Sequence, residues 1–357
     1  MNSLKLFDRT FQRVLSPVGG IPLRVLRYSW HCMGGPLSAT LRAYGNQYQI
    51  IELARLLRYA VTVTDEQGRD VWWGFINSVD IYSGRQVLSV SLNDMWNNIT
   101  VQYTGENLSR SCPAATSALS VSTYGTKELK APGTNLDNNT AAVAYRDQLL
   151  AYYALPRVNR GYSQTPAGTY AEITCAGWFQ TLNWRYFSDA DTTQTASSTQ
   201  IGAIVTAVGS LLAGTETVPA SGINTAEYRD GAGRAGDEIY QLFELGVSGG
   251  NRYNAKVRDS RYLSVWQEYS RGANDYRIDS RGELRDANSA YVPYHTCPVG
   301  VWVIDTHSGL SSANSRLLSD PGAFFVEEAE FDVTSGIYTP RPRGINSPAE
   351  VGRVLIA

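Results

Sequence analysis

Between residues 61 and 92 the chain places three short β-like runs one after another with only tight turns between them. Residues 61–64 rise to Glu66-Gln67-Gly68-Arg69, residues 71–82 (VWWGFINSVDIY) return, and Ser83-Gly84-Arg85 leads into 86–92 (QVLSVSL). Connections this short join antiparallel neighbours, and glycine supplies the backbone angles that such turns need. Residues 23–32 (LRVLRYSWHC) are also β-like, and 38–44 (SATLRAY) alternate cleanly after a Gly-Gly-Pro break. With short helical stretches at 50–57 and around 94–99, this part of the chain reads as an antiparallel barrel or sandwich carrying a small helix.

The composition changes at Thr104, and Ser, Thr, Asn and Gly dominate through Asn139. So few core formers predict a loop-rich insertion or a domain boundary. Residues 140–155 (TAAVAYRDQLLAYYAL) set Ala142, Tyr145, Leu149 and Tyr153 at i+3/i+4 spacing and end at Pro156, which predicts an amphipathic helix. A strand at 170–181 should turn at Gly177. A helix follows at 197–213 with Ser197 or Ser198 as its N-cap, and another at 236–245. Strand-length runs with turns at 279–283 and 286–288 predict a second small barrel from residue 252, with further strands at 299–305 and 323–332. The expected fold is mainly β with α+β insertions: a β-barrel domain at 1–110, a mixed α/β region at 111–250 (helices near 140–155, 197–213 and 236–245), and a second barrel with a C-terminal tail at 251–357.

Charge and size exclude several classes. Hydrophobic residues make up 43% of the 357, enough for a core and too many for a disordered chain. Only 18% are charged, below the ~25% usual for soluble domains, while there are 22 Tyr and 8 Trp. That balance suits surface hidden against partners. The net charge of −2 argues against a binder that grips nucleic acid electrostatically. Cys32, Cys112, Cys175 and Cys297 form no CxxC pair; buried thiols are the simpler expectation, with two long-range disulfides as the alternative. Charges at Lys5, Asp8, Arg9 and Arg13 interrupt any signal-peptide core, and the longest apolar run, 201–214, is shorter than the ~20 residues a bilayer requires. A chain made in the cytoplasm, without stable membrane insertion, is expected.

No motif points to catalysis, a cofactor or a metal. His307 follows Asp305-Thr306, yet no nucleophile elbow accompanies it; His31 reads as a structural histidine in a strand, and His295 stands alone. Asp189 and Asp191 resemble a calcium loop only slightly, lacking the turn glycine and the remaining oxygen ligands. Glu327, Glu328 and Glu330 share one strand, which cannot by itself set two carboxyls facing each other across a glycosidic bond. Alternation puts Glu328, Glu330 and Asp332 on one face, which must be open to water because like charges in a row repel. That face is either a plain solvated surface or an acidic channel wall past which nucleic acid slides. Between Arg252 and Arg285, eight basic residues interleave with Asp259, Glu268, Asp275, Asp279 and Glu283, as on a salt-bridged surface or subunit contact.

The order of these pieces resembles the tail-hub, or minor tail, proteins of tailed bacteriophages. The segments that carry the resemblance are GPLSATLRAY (35–44), ELARLLRYAVTVTDEQGRDVWWGFI (52–76), VLSVSLNDMWNNITVQY (87–103), STYGTKE (122–128), YALPR (153–157), EITCAGWFQTLNWRYF (172–187) and GDEIYQLFELGVSGGNRYNAKVRDSRYLSVWQEY (236–269), followed by DSRGEL. The resemblance implies two tube-type antiparallel β-barrel domains flanking a more variable outer region. It implies a homotrimer whose pseudo-sixfold ring lies at the virion's tail tip and joins the tube to the tip. The implied partners are the tail tube or distal tail ring, a tip, fibre or spike protein, the tape-measure protein, and DNA in passage. Channel-lining residues would be Glu328, Glu330 and Asp332. No enzyme activity or cofactor is implied, and any lytic function would belong to another subunit. The alternatives are a carbohydrate-binding or hydrolysing receptor-binding tail component, or the hub of a phage-derived injection device.

Overall fold

The computed structural model describes residues 3–14, 20–105, 108–247, 251–268, 272, 275–305 and 323–343. The protein is mainly β. Its largest sheet runs in the order Arg13–Val14, Ser3–Phe7, Ala60–Thr64, Asp70–Ser91, Arg157–Ala176, Met33–Tyr44, Arg24–His31, Ala323–Asp332, Val301–Asp305, Tyr276–Ile278 and Leu284–Arg285. Among the described residues no sheet closes into a barrel.

The glycine turns do what the sequence indicates. Asp70–Ser91 folds back on itself where Gly84 takes a φ of 61°: the Leu92 N–H donates to the Asn77 carbonyl at 2.9 Å, and Ser89 Oγ donates to Asp80 Oδ1 at 2.5 Å. Arg157–Ala176 straddles this hairpin. Its residues 157–162 pair with 86–91, and its residues 170–176 pair with 75–82 on one side and with 38–44 on the other. A strand from the middle of the chain therefore occupies the centre of the main sheet.

The two ends of the chain also share that sheet. Ala323–Asp332 pairs antiparallel with Arg24–His31, setting Ala329 opposite Trp30 and Phe331 opposite Tyr28. All four side chains are buried, so the apolar faces of both strands extend one core where the sequence suggested two. The edge strand Ile337–Pro342 closes this side with Pro340 and Pro342, residues suited to an edge because they lack an N–H to offer.

Tryptophans tie strands together within the core. The Trp30 indole N–H donates to the Val71 carbonyl at 3.0 Å, and the Trp72 N–H donates to the Ser29 carbonyl at 3.2 Å. Trp73 meets Trp30 edge-on at 5.0 Å and gives its own N–H to the Val257 carbonyl at 2.7 Å. Tryptophan is thus largely interior here, with Trp72 fully buried, whereas several tyrosines stay outside, Tyr48 at 85% exposure and Tyr162 at 77%.

The middle region is more ordered than its composition suggested. Within the expected loop, Glu128–Gly133 pairs in parallel with Asn98–Gly105, and Ala118–Tyr124 is a helix. Backbone pairing needs no large side chains, and the fully buried Asn97 organises it by accepting from the Lys127 N–H at 2.7 Å and donating to the Gly125 carbonyl at 2.8 Å. The helix expected around 94–99 is instead a turn that enters the Asn98–Gly105 strand. Helices Asn139–Tyr153, Ser197–Val208 and Ala235–Leu245 lie close to expectation. The cap of the second differs: Ala196 is its N-cap, and Ser197 Oγ donates to the Gly246 carbonyl. Tyr253–Val257 and Tyr262–Gln267 form a hairpin, not a barrel, and Tyr253–Val257 docks in parallel on Met33–Tyr44. All four cysteines are free and buried, and burial pushes the Cys32 thiol up to about 12. No helix of the described residues is long and apolar enough to cross a membrane.

Candidate functional site: the polar face of the sheet

Strand alternation gives the main sheet two unlike faces. Val79, Ile81, Ala171, Ile173, Ala39, Leu41, Tyr28 and Ala329 point into the core. Their neighbours in sequence form the opposite face. In register across the strands these are Asp80, Glu172 and Arg42; then Thr174, Thr40 and Arg27; then Ser38, Ser29 and Glu330. The polar face therefore continues over strands drawn from the beginning, middle and end of the chain.

Glu328, Glu330 and Asp332 all belong to this face, opposite His31, Ser29 and Arg27. They are half-buried, and the row is not the unrelieved acidic strip that alternation alone suggested. Arg341 Nη1 lies 2.9 Å from Glu328 Oε1. The Asp332 carboxylate accepts the N–H groups of Ser335 and Thr334, both at 2.8 Å; these bonds, with Arg27 nearby, hold its carboxyl below the usual range. Farther along, Arg42 Nη2 meets Glu172 Oε2 at 3.0 Å, and Arg27 Nε reaches Thr40 Oγ1 at 3.4 Å. Arginines lie among the carboxylates of this surface and offset part of its negative charge.

One border of the face carries a tyrosine row. Tyr82 stacks on Tyr170 at 4.6 Å, Tyr44 sits 6.0 Å from Tyr170 on the other side, and the Arg42 guanidinium lies 5.2 Å from the Tyr170 ring centre. Burial, with Asp80 close by, raises the Tyr82 hydroxyl. The sequence carries this row as the i, i+2 pairs Arg42/Tyr44 and Tyr170/Glu172, but only strand register brings them together.

The other candidate residues serve the fold. The His31 Nδ1 accepts the Met33 N–H at 3.1 Å. His295 Nε2 lies 3.1 Å from Asp65 Oδ2 and 3.4 Å from Arg69 Nη2, pinning the tip of the 60–75 hairpin to the C-terminal part of the chain. Burial opposes ionisation of Asp65, but the backbone N–H and guanidinium of Arg69 and the His295 ring outweigh it and bring the carboxyl to about 2. His307 lies outside the described residues, as does the tail beyond residue 343. Asp189 accepts the Asp191 N–H and Asp191 accepts the Thr193 N–H, so both carboxylates shape their own loop. Among the described residues no group of three or more His, Cys, Asp or Glu is arranged to hold a metal ion. Part of the stretch 252–285 is ion-paired: Arg258 with Glu216, Arg285 with Asp279 and Glu283, and the acidic Glu268 with Arg343 at 2.8 Å.

No family model and no curated protein matches the chain. Among solved structures it is similar to the 43 kDa tail protein of prophage MuSo2 from Shewanella oneidensis, at 7% identity and a TM-score of 0.41 over 94% of this chain and 95% of that one. It is also similar to a tail protein from Neisseria meningitidis MC58, at 7% identity and a TM-score of 0.40 over 94% of each chain.

Proposed function

We propose that this chain is a structural, non-enzymatic virion protein of a phage tail. Three copies form a pseudo-sixfold hub ring at the distal end, joining the tail tube to the tip and surrounding the channel for DNA and the tape-measure protein. The observation that carries this reading is the polar sheet face, to which both ends of the chain contribute. A core-backed sheet with one hydrophilic face is the material of a channel wall, and the ordered sequence resemblance points to the same use. Neighbouring copies complete the closed wall that one chain leaves open, through heterologous contacts that return on themselves after three steps. Among the described residues, Arg24–His31, Met33–Tyr44, Asp70–Ser91 and Ala323–Asp332 supply most of the wall, with the 170–176 segment inserted.

The charge of this face suits such a lining. DNA carries one negative charge per ~1.7 Å of its axis and would adhere to a basic lining. Here Arg341 pairs with Glu328 and Arg27 lies near Asp332 while Glu330 adds a further carboxylate, so the surface offers DNA no net basic site.

Two measurements test the reading. Light scattering after size exclusion, with cross-linking, should give a trimer; monomers alone in both the free protein and the particle would overturn it. Particles carrying Glu328→Lys, Glu330→Lys and Asp332→Lys together should assemble yet eject their genome more slowly. Unchanged ejection would remove these residues from the channel.

A further inference from the structure

The helix Asn139–Tyr153 packs Ala142 and Leu149 on a small core with Val101, Tyr103, Cys112 and Ala131, yet its own fold leaves part of its apolar stripe open. Only Ala142 on that stripe is buried; Tyr145 is 38% exposed, and Leu149 and Tyr153 are half-buried. A stripe at this spacing ordinarily packs on a core. Here it lines an open cleft of about 510 Å³ shared with the Glu128–Gly133 strand and the turn at 92–97. That volume falls within the roughly 300–1,000 Å³ typical of small-ligand sites.

The chemistry of the cleft is mixed in a particular way. Trp96, Tyr145 and Tyr153 give it aromatic walls, and Asp94, Arg157 and Asn159 give it polar groups. The Trp96 ring is held in place. Lys127 Nζ lies 4.3 Å from its centre and is itself tied to the carbonyls of Leu92 and Asn93 at 2.6 and 2.8 Å, while the Trp96 backbone N–H donates to the Tyr153 carbonyl at 2.9 Å. Arg157 is set over the Tyr152 ring at 3.7 Å, which fixes its guanidinium beside the cleft. The site therefore offers preorganised rings next to an acceptor, a donor and a carboxamide that is both.

We propose that this cleft binds a neutral oligosaccharide. One pyranose ring lies with its C–H face against the aromatic wall and its hydroxyls bonded to Asp94, Arg157 and Asn159. A purely apolar occupant would strip water from those three groups and return nothing. With one carboxylate and one guanidinium in the cleft, an anionic sugar loses against Asp94 what it gains from Arg157 and a cationic one the reverse, so net charge on the sugar brings no advantage. The site does not depend on the ring assembly.

The test is binding of the full chain to a printed array of neutral and acidic oligosaccharides, compared with Tyr145→Ala, Asn159→Ala and, as a remote control, Tyr48→Ala. Tyr145, Asn159 and Tyr48 are all exposed, so unchanged circular dichroism should certify each fold. The expected result is binding to a neutral saccharide that weakens roughly tenfold in the two cleft variants and not in the control. No bound saccharide, binding restricted to acidic sugars, or binding that ignores both cleft variants would each overturn the proposal. So would capture of apolar peptides from a displayed random library through the same residues.

Discussion

Replacing Trp72 by phenylalanine tests how the sheet is held. Trp72 is fully buried, and its indole N–H reaches the Ser29 carbonyl at 3.2 Å while Trp30 returns the same bond to Val71 at 3.0 Å. Trp72→Phe deletes one bond of this reciprocal pair. The Ser29 carbonyl belongs to a strand already flanked on both sides, so the lost bond should cost about 1 kcal/mol. The smaller ring leaves a void in a close-packed core, adding about 1–2 kcal/mol. The total is roughly 2–3 kcal/mol. Because both bonds join the same two segments, Trp30→Phe and Trp72→Phe should not be additive, with a coupling of about 0.5–1.5 kcal/mol. Urea unfolding followed by far-UV circular dichroism measures all four corners of the cycle, with an independent probe required to give the same midpoint. A single-variant cost below about 0.5 kcal/mol, or strict additivity, would refute the lock.

Three further perturbations follow from the geometry. Burial brings the Lys127 ammonium down to about 8 from 10.5, with Arg234 adding to the effect. The unfolded chain therefore binds more protons between those values, and wild type should gain stability on Lys127→Met as pH rises from about 8 to 10.5; a flat difference would refute it. Asp65, held near 2, contributes stability that is present above about 3.8 and is lost as pH falls toward 2. Asp65→Asn should cost about 2 kcal/mol at neutral pH and progressively less in acid, as read from urea midpoints at each pH. At Gly177 a Cβ would stand 1.6 Å from the Pro36 carbonyl oxygen. Gly177→Ala should cost about 3 kcal/mol or more, and a melting temperature within a degree of wild type would contradict that placement.

Local features were legible in the sequence wherever the physics is local. The turn at Gly84, the strand that ends before Gly177 and the helix ending before Pro156 each follow from backbone preferences of residues close in the chain. Alternation also placed Glu328, Glu330 and Asp332 together on one face. Their basic neighbours were not legible, because Arg341 and Arg27 reach them only through strand pairing, and pairing between distant segments leaves no local mark. For the same reason two separate barrels were expected where Ala329 and Phe331 join Trp30 and Tyr28 in one core. The helical stripe of Tyr145, Leu149 and Tyr153 misled in another way. Periodicity shows which residues share a face, but it does not show whether the chain covers that face.

The pairing of Ala323–Asp332 with Arg24–His31 has a consequence for synthesis. Residues that meet there, such as Ser29 and Glu330, are separated by about 300 positions. During translation the early strands must wait, with one edge unfilled, until Ala323–Asp332 has left the ribosome. Nascent and prematurely terminated chains that stop short of this segment therefore lack the finished polar face. Completion of the main sheet is thereby tied to synthesis of Ala323–Asp332, a check on folding that needs no separate factor.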